Sequence, residues 1–131
     1  ELQSISFPGN VKVRFRGWVD HENLGEYYST TDMFVHPGVW PEPFGRTILE
    51  ALQYQLPVVC SNVGGPPWIA GDASRKFQPN STDELTGIID SIGRVELQDL
   101  SSNASKELNR FRPPKIVSDL ISSYQSHIRS S

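Results

Sequence analysis

Residues 36–65 read HPGVWPEPFGRTILEALQYQLPVVCSNVGG, and the rest of the chain is organised around them. In order, the stretch is a strand end, a proline-rich loop, a helix, a second strand and a diglycine loop. Pro43 lacks an N–H and has a fixed φ, so a helix cannot continue backwards through it. The helix is expected to begin near Phe44 or Gly45 and to run to about Tyr54. Its first turn, FGRT, leaves backbone N–H groups without intrahelical acceptors. With the helix dipole, those groups make an anion site. Gly45 has no Cβ and lets a ligand approach the backbone. Glu42 lies in the loop before the helix, and Glu50 lies inside it, eight positions later. Carboxylates on both sides of a phosphate-binding helix start suit a ligand with hydroxyls flanking a phosphate group, as in a sugar nucleotide.

Working outward, Leu56–Cys60 and Met33–His36 are short continuous apolar runs. Such runs read as strands covered on both faces, as in a parallel sheet. Residues 11–16, VKVRFR, alternate apolar and charged and predict a strand with one polar face, ended by Gly17. Asp20 is a candidate N-cap for a helix over about 21–30 carrying Leu24, Tyr27 and Tyr28. Pro66 and Pro67 can open a short helix through Ala70, and RKFQ at 75–78 reads as a last strand. Ser81 and Glu84 have capping-box spacing ahead of Leu85, Ile88, Ile89 and Ile92. A further helix carries Leu97, Leu100, Leu108 and Phe111 and includes SSNAS at 101–105. After the Pro113–Pro114 break, Ile116, Val117, Leu120, Ile121, Tyr124 and Ile128 share one face of a last helix, a stripe that needs a surface to cover. Strands alternate with helices, which predicts an α/β fold with a Rossmann-like parallel sheet and flanking helices. Ligands of such sheets bind beyond the carboxyl ends of the strands, where the 36–45 loop falls.

Composition narrows the function. At 131 residues the chain is one domain or a piece of one. A net charge of −3 and a pI near 5.5, with no basic stripe, argue against nucleic acid and anionic lipid as partners. No apolar run approaches the ~18 residues of a transmembrane helix. The first residues, ELQSISFPGN, have neither the basic start nor the apolar core of a signal peptide. Cys60 is the single cysteine, so no intrachain disulfide is possible, and its PVVC context predicts a buried thiol. The expected location is the cytoplasm. Neither G-x-G-x-x-G nor a Walker-type loop occurs, so dinucleotide and P-loop readings lack their usual support.

PEPFGRTILEA, then LPVV, then NVGG, resembles the donor-binding domain of retaining glycosyltransferases of the GT-B fold, specifically glycosyltransferase family 4 (group 1). The E-x7-E pair alone is weak, but embedded in P-E-P-F-G, E-A, P-V-V and G-G it is specific. The resemblance extends from about Val11 to Tyr124 and takes in VKVRFRGWV, EYYSTTDMFVHP and GDASRKFQPNSTDEL. It implies that Glu42 lies by the transferred sugar, as nucleophile or as electrostatic partner of the charge at the anomeric carbon. Phe44 and Gly45 would offer backbone N–H groups to the sugar, and Arg46 and Thr47 theirs to the diphosphate. Glu50 would hold the ribose hydroxyls, and Gly17 and Trp18 would flank the base. Gly64 and Gly65 are assigned to loop conformation more than to ligand contact. The implied donor is a UDP-, GDP- or ADP-sugar, with no metal and no other cofactor. The acceptor would be a glycan, a lipid or a small molecule, and the parent enzyme could sit peripherally at the inner membrane face.

Blander readings stand beside these. Glu42 could cap the helix from outside, Glu50 could be a solvated helix residue, and the Arg46 side chain could point to water. His36 reads as a packed strand-end residue, His21 and His127 as surface positions, and Trp40 as lining the pocket or covering the loop. Two positions depart from the family: Gln55 stands where it has a glycine, and Trp68 where it has a glutamate. The family's preceding strand–helix units, with a G-R and a lysine that clamp the diphosphate, have no counterpart before Val11. The sequence is therefore expected to be the C-terminal part of the donor domain, a fragment of a longer polypeptide that supplies the missing units and the acceptor domain. A gap is expected between the strands at 11–16 and 33–36. The alternatives are a non-catalytic nucleotide- or glycan-binding α/β module and a nucleotide-sugar epimerase of related fold.

Overall fold

The computed structural model of the chain describes residues 11–129. Its elements are helix α1 (His21–Ser29), strand β1 (Phe34–His36), α2 (Arg46–Gln53), β2 (Val58–Ser61), α3 (Pro66–Ala70), a 3₁₀ turn (Gly71–Ala73), β3 (Ser74–Phe77), α4 (Thr82–Ser91), α5 (Arg94–Asn109) and α6 (Pro113–Arg129). The three strands form one parallel sheet in the order β1-β2-β3. Val35 lies opposite Val59, and Val59 opposite Arg75. The α/β class and the parallel sheet are as the sequence predicts.

Every residue of central β2 is buried, because helices cover both faces. Val58 and Cys60 point into a core shared with Ile48, Leu52, Ile69 and Ala104 from α2, α3 and α5. Val59 points the other way, toward Phe77 and Ile88, with Val35 and Leu85 packed alongside. This two-sided burial is what a continuous apolar run requires. Burial also pushes the Cys60 thiol up to about 11, which keeps it an inert packing group.

The expected strand at 11–16 is not there. VKVRFR has no regular structure, and Val11, Val13 and Phe15 are 58%, 43% and 44% exposed. Alternation makes a segment fit for a sheet, but a strand exists only where a neighbour completes its hydrogen-bond ladder. Among the described residues nothing pairs with the outer edge of β1, the side on which the gap was expected. β1 is accordingly only half-buried.

Local signals set the helix ends. Ser81 Oγ accepts from Glu84 N–H at 3.3 Å, but the Glu84 carboxylate accepts from Gln78 N–H at 2.7 Å, so half of the capping box forms. Asp20 occupies the N-cap of α1, yet its side chain makes no capping bond. At the end of α2, Leu56 N–H donates to Ala51 O at 3.1 Å and Gln55 N–H to Leu52 O at 3.0 Å. These are the paired bonds of a Schellman motif, which puts its C′ residue in the left-handed region. Gln55 is that residue, at φ 56°. Gln55→Gly is therefore expected to stabilise the chain by about 1 kcal/mol. Thermal melting should show a rise of roughly 3–5 °C, and an unchanged or lower midpoint would contradict this account.

Helix α6 leaves the body with its stripe uncovered. Ile116, Val117, Leu120, Ile121 and Tyr124 are all about half or more exposed, so the surface that the stripe needs is not supplied by the described residues. The side chains of His127 and Ile128 lie outside the described ones.

Candidate functional site

In a parallel sheet the carboxyl ends of all strands share one edge. The loop after β1 and the loop after β2 must therefore leave side by side. They meet backbone to backbone: Gly65 N–H donates to Glu42 O at 2.8 Å. A Cβ on Gly64 would sit 2.5 Å from Glu42 O, and one on Gly65 2.5 Å from Pro43 O. The diglycine is thus the seat on which the PEPF loop rests. That bears out its assignment to loop structure.

The loop turns into α2 at Gly45, whose φ of 148° lies where L side chains rarely go. Pro66, the buried first residue of α3, presses on it, with Cγ 3.1 Å from where a Cβ would stand. Helix α2 starts at Arg46, one residue beyond the expected range. Ile48 N–H turns back to Gly45 O at 3.0 Å, and helix geometry leaves the Arg46 and Thr47 N–H groups without intrahelical acceptors. Both residues are exposed, so the positive end of α2 faces solvent at the ligand edge.

Glu42 is held by its main chain, and its carboxylate is partly enclosed. Glu42 N–H donates to Trp40 O at 2.8 Å in a tight turn. His36 Nε2, at the end of β1, lies 2.9 Å from Glu42 Oε1. That separation has the length of a charge-assisted bond but not its direction, so Oε1 is buried without a hydrogen-bond partner. The rest of the Glu42 side chain is open to solvent, with 38% of its surface exposed. His36 thus does more than pack at the strand end: its ring nitrogen lies against the Glu42 carboxylate. Its position six residues earlier, across one loop, is the signal that could have revealed the pair.

Glu50 faces α1. Tyr28 Oη donates to Glu50 Oε2 at 3.1 Å. The Phe44 ring turns away from the helix start to meet Phe111 edge-on, with centroids 5.7 Å apart. Trp68 also meets Phe111 edge-on at 5.2 Å and carries the Arg110 guanidinium 4.9 Å over its ring. Tryptophan in place of the family's glutamate therefore builds an aromatic–cation cluster beside the loop. Gly17 (φ 64°) and Trp18, which is 92% exposed, stand in the irregular segment before α1 and are not gathered into this cluster. Trp40 is 77% exposed on the loop.

A parallel α/β domain with an open helix start at the carboxyl edge of its sheet defines the class of protein. Comparison gives the family. Residues 1–107 match the family described as Glycosyl transferases group 1, and the chain belongs to that family. It is 36% identical over 96 residues to the O-antigen chain mannosyltransferase B of Escherichia coli, covering 73% of this chain and 23% of that protein. A solved structure of Anabaena Alr3699/HepE in complex with UDP superposes with a TM-score of 0.68 at 26% identity, over 79% of this chain and 30% of that one. The same protein was also solved with UDP-glucose. The sucrose-phosphate synthase of Thermosynechococcus elongatus gives a TM-score of 0.67 at 26% identity, over 90% of this chain and 31% of that one. The chain thus spans about a third or less of the length of these relatives. Among the described residues, no helix is long and apolar enough to cross a membrane.

Proposed function

We propose that this chain supplies the donor-binding part of a retaining glycosyltransferase that uses a nucleotide-diphosphate sugar. The observation that carries the reading is the open start of α2 at the carboxyl edge of the sheet, with Glu42 in the loop just before it. The diphosphate sits on the Arg46 and Thr47 N–H groups, and the helix dipole stabilises the charge that grows on it as it leaves. The Phe44 and Gly45 N–H groups face the sugar. The Glu42 carboxylate accepts a sugar hydroxyl and stabilises the oxocarbenium-like charge at the anomeric carbon. Glu50 accepts from the ribose, and Gly17 and Trp18 flank the base. The helix start does the electrostatic work that a metal does elsewhere, so the proposal includes no metal. The acceptor is held by the rest of a longer polypeptide, in line with the share of its relatives that the chain spans. The proposed location is cytoplasmic, peripheral to the membrane where the acceptor is a lipid.

Calorimetric titration with UDP-, GDP- and ADP-sugars tests this directly. Saturable binding of one nucleotide class is expected, weakened about tenfold or more in Glu50→Gln, because removing a charged acceptor leaves ribose hydroxyls poorly paired. Equal affinity of wild type and Glu50→Gln would remove Glu50 from the site.

A further inference from the structure

Tyr28 lies 22 positions before Glu50, on a different helix, yet it makes the hydrogen bond that fixes the Glu50 carboxylate. Its own ring is held on two sides. It stacks on Tyr54 from the end of α2, with centroids 5.4 Å apart and planes at 21°, and tilts against Phe34 of β1 at 5.9 Å. The hydroxyl is therefore positioned by the hydrophobic core and not by a flexible surface side chain. The bond is partly buried, and the ring packs against the principal core cluster.

We infer that Tyr28 is a positioning residue that presets Glu50 to accept the two ribose hydroxyls of the nucleotide, and thereby sets the preference for ribose over deoxyribose. The inference rests on the assignment of Glu50 to the ribose. A carboxylate offers about four acceptor sites on two oxygens. The Tyr28 hydroxyl occupies one of them, on Oε2. That single bond fixes the rotation of the carboxylate and leaves Oε1, with the other lone pair of Oε2, for two neighbouring hydroxyls. An acceptor fixed in advance loses less entropy on binding, so it discriminates more sharply between a sugar that can donate and one that cannot. The donor is also permanent. Burial, then the hydrogen bond to Glu50, push the Tyr28 phenol up to about 12, so it holds its proton throughout the neutral range.

The test is calorimetry on the whole chain with UDP, GDP and ADP, followed by the 2′-deoxy form of whichever binds. Wild type should bind the ribo form about tenfold more tightly than the deoxy form. Tyr28→Phe keeps the ring and its stacking, so melting should stay within a few degrees of wild type. Its ribo affinity should fall about five- to tenfold and its ribo/deoxy ratio to about two. Added to Glu50→Gln, the same change should alter affinity less than twofold, as two residues acting through one interaction require. A ribo/deoxy ratio in Tyr28→Phe equal to that of wild type overturns the role of Tyr28 and leaves Glu50 in place. A folded wild-type chain that binds no nucleotide, or binds without ribose preference, overturns both.

Discussion

Glu42→Gln in the full-length enzyme is expected to lower kcat by roughly 10²–10³-fold with little change in nucleotide affinity. The substitution keeps the shape of the side chain and removes only its charge. The main-chain bonds that place residue 42, to Trp40 O and from Gly65 N–H, are untouched. Nucleotide binding therefore reports on the helix start and Glu50, while turnover reports on the charge beside the anomeric carbon. That charge acts mostly in the transition state, when the glycosidic bond has lengthened and the sugar is positive, so the loss belongs in kcat and not in KM. Steady-state kinetics together with nucleotide titration separate the two. Wild-type turnover in Glu42→Gln would remove the residue from the chemistry, whatever it contributes to the loop.

Features encoded by adjacent residues were legible in the sequence. Pro43 and Gly45 announce the start of α2, the apolar run through Cys60 announces a buried strand, and Ser81 announces α4; each is in place within a residue or two. What failed was long-range. VKVRFR carries a strand pattern but has no strand partner among the described residues, and pattern alone cannot supply a hydrogen-bond ladder. Contacts across sequence were invisible for the same reason: the sequence places Tyr28 on a helix with Leu24 and Tyr27, and nothing near it points to Glu50. Glu107 is the clearest omission. It lies in register with Leu100 and Ala104 on the buried face of α5 and is only 3% exposed. Its carboxylate accepts from Arg110 and from Asp72 N–H, and it fills the space where Gly71 has no side chain. A charge on an apolar helical stripe was the available signal.

Gly64→Ala is expected to destabilise the chain by about 2–5 kcal/mol and to abolish nucleotide binding in whatever fraction stays folded. Two independent costs combine. Gly64 has φ 68°, a conformation that costs an L residue about 1–2 kcal/mol. The new Cβ would also stand 2.5 Å from Glu42 O and 2.9 Å from Glu42 N, both backbone atoms with no rotamer to escape into. Relieving that overlap must push the PEPF loop off its seat, at a further cost of about 1–3 kcal/mol. Gly17→Ala separates the two costs. Gly17 has nearly the same φ, 64°, but a Cβ there meets nothing within 4 Å. It should therefore lose only the backbone part, about 1–2 kcal/mol, and leave the start of α2 intact. Chemical denaturation of both variants gives the comparison. If the two lose equal stability, the diglycine does not hold the loop, and the placement of Glu42 must come from the Trp40 turn and Pro43 instead. If Gly64→Ala is the worse by about 1–3 kcal/mol, the contact between the two loops is what carries Glu42 to the edge of the sheet.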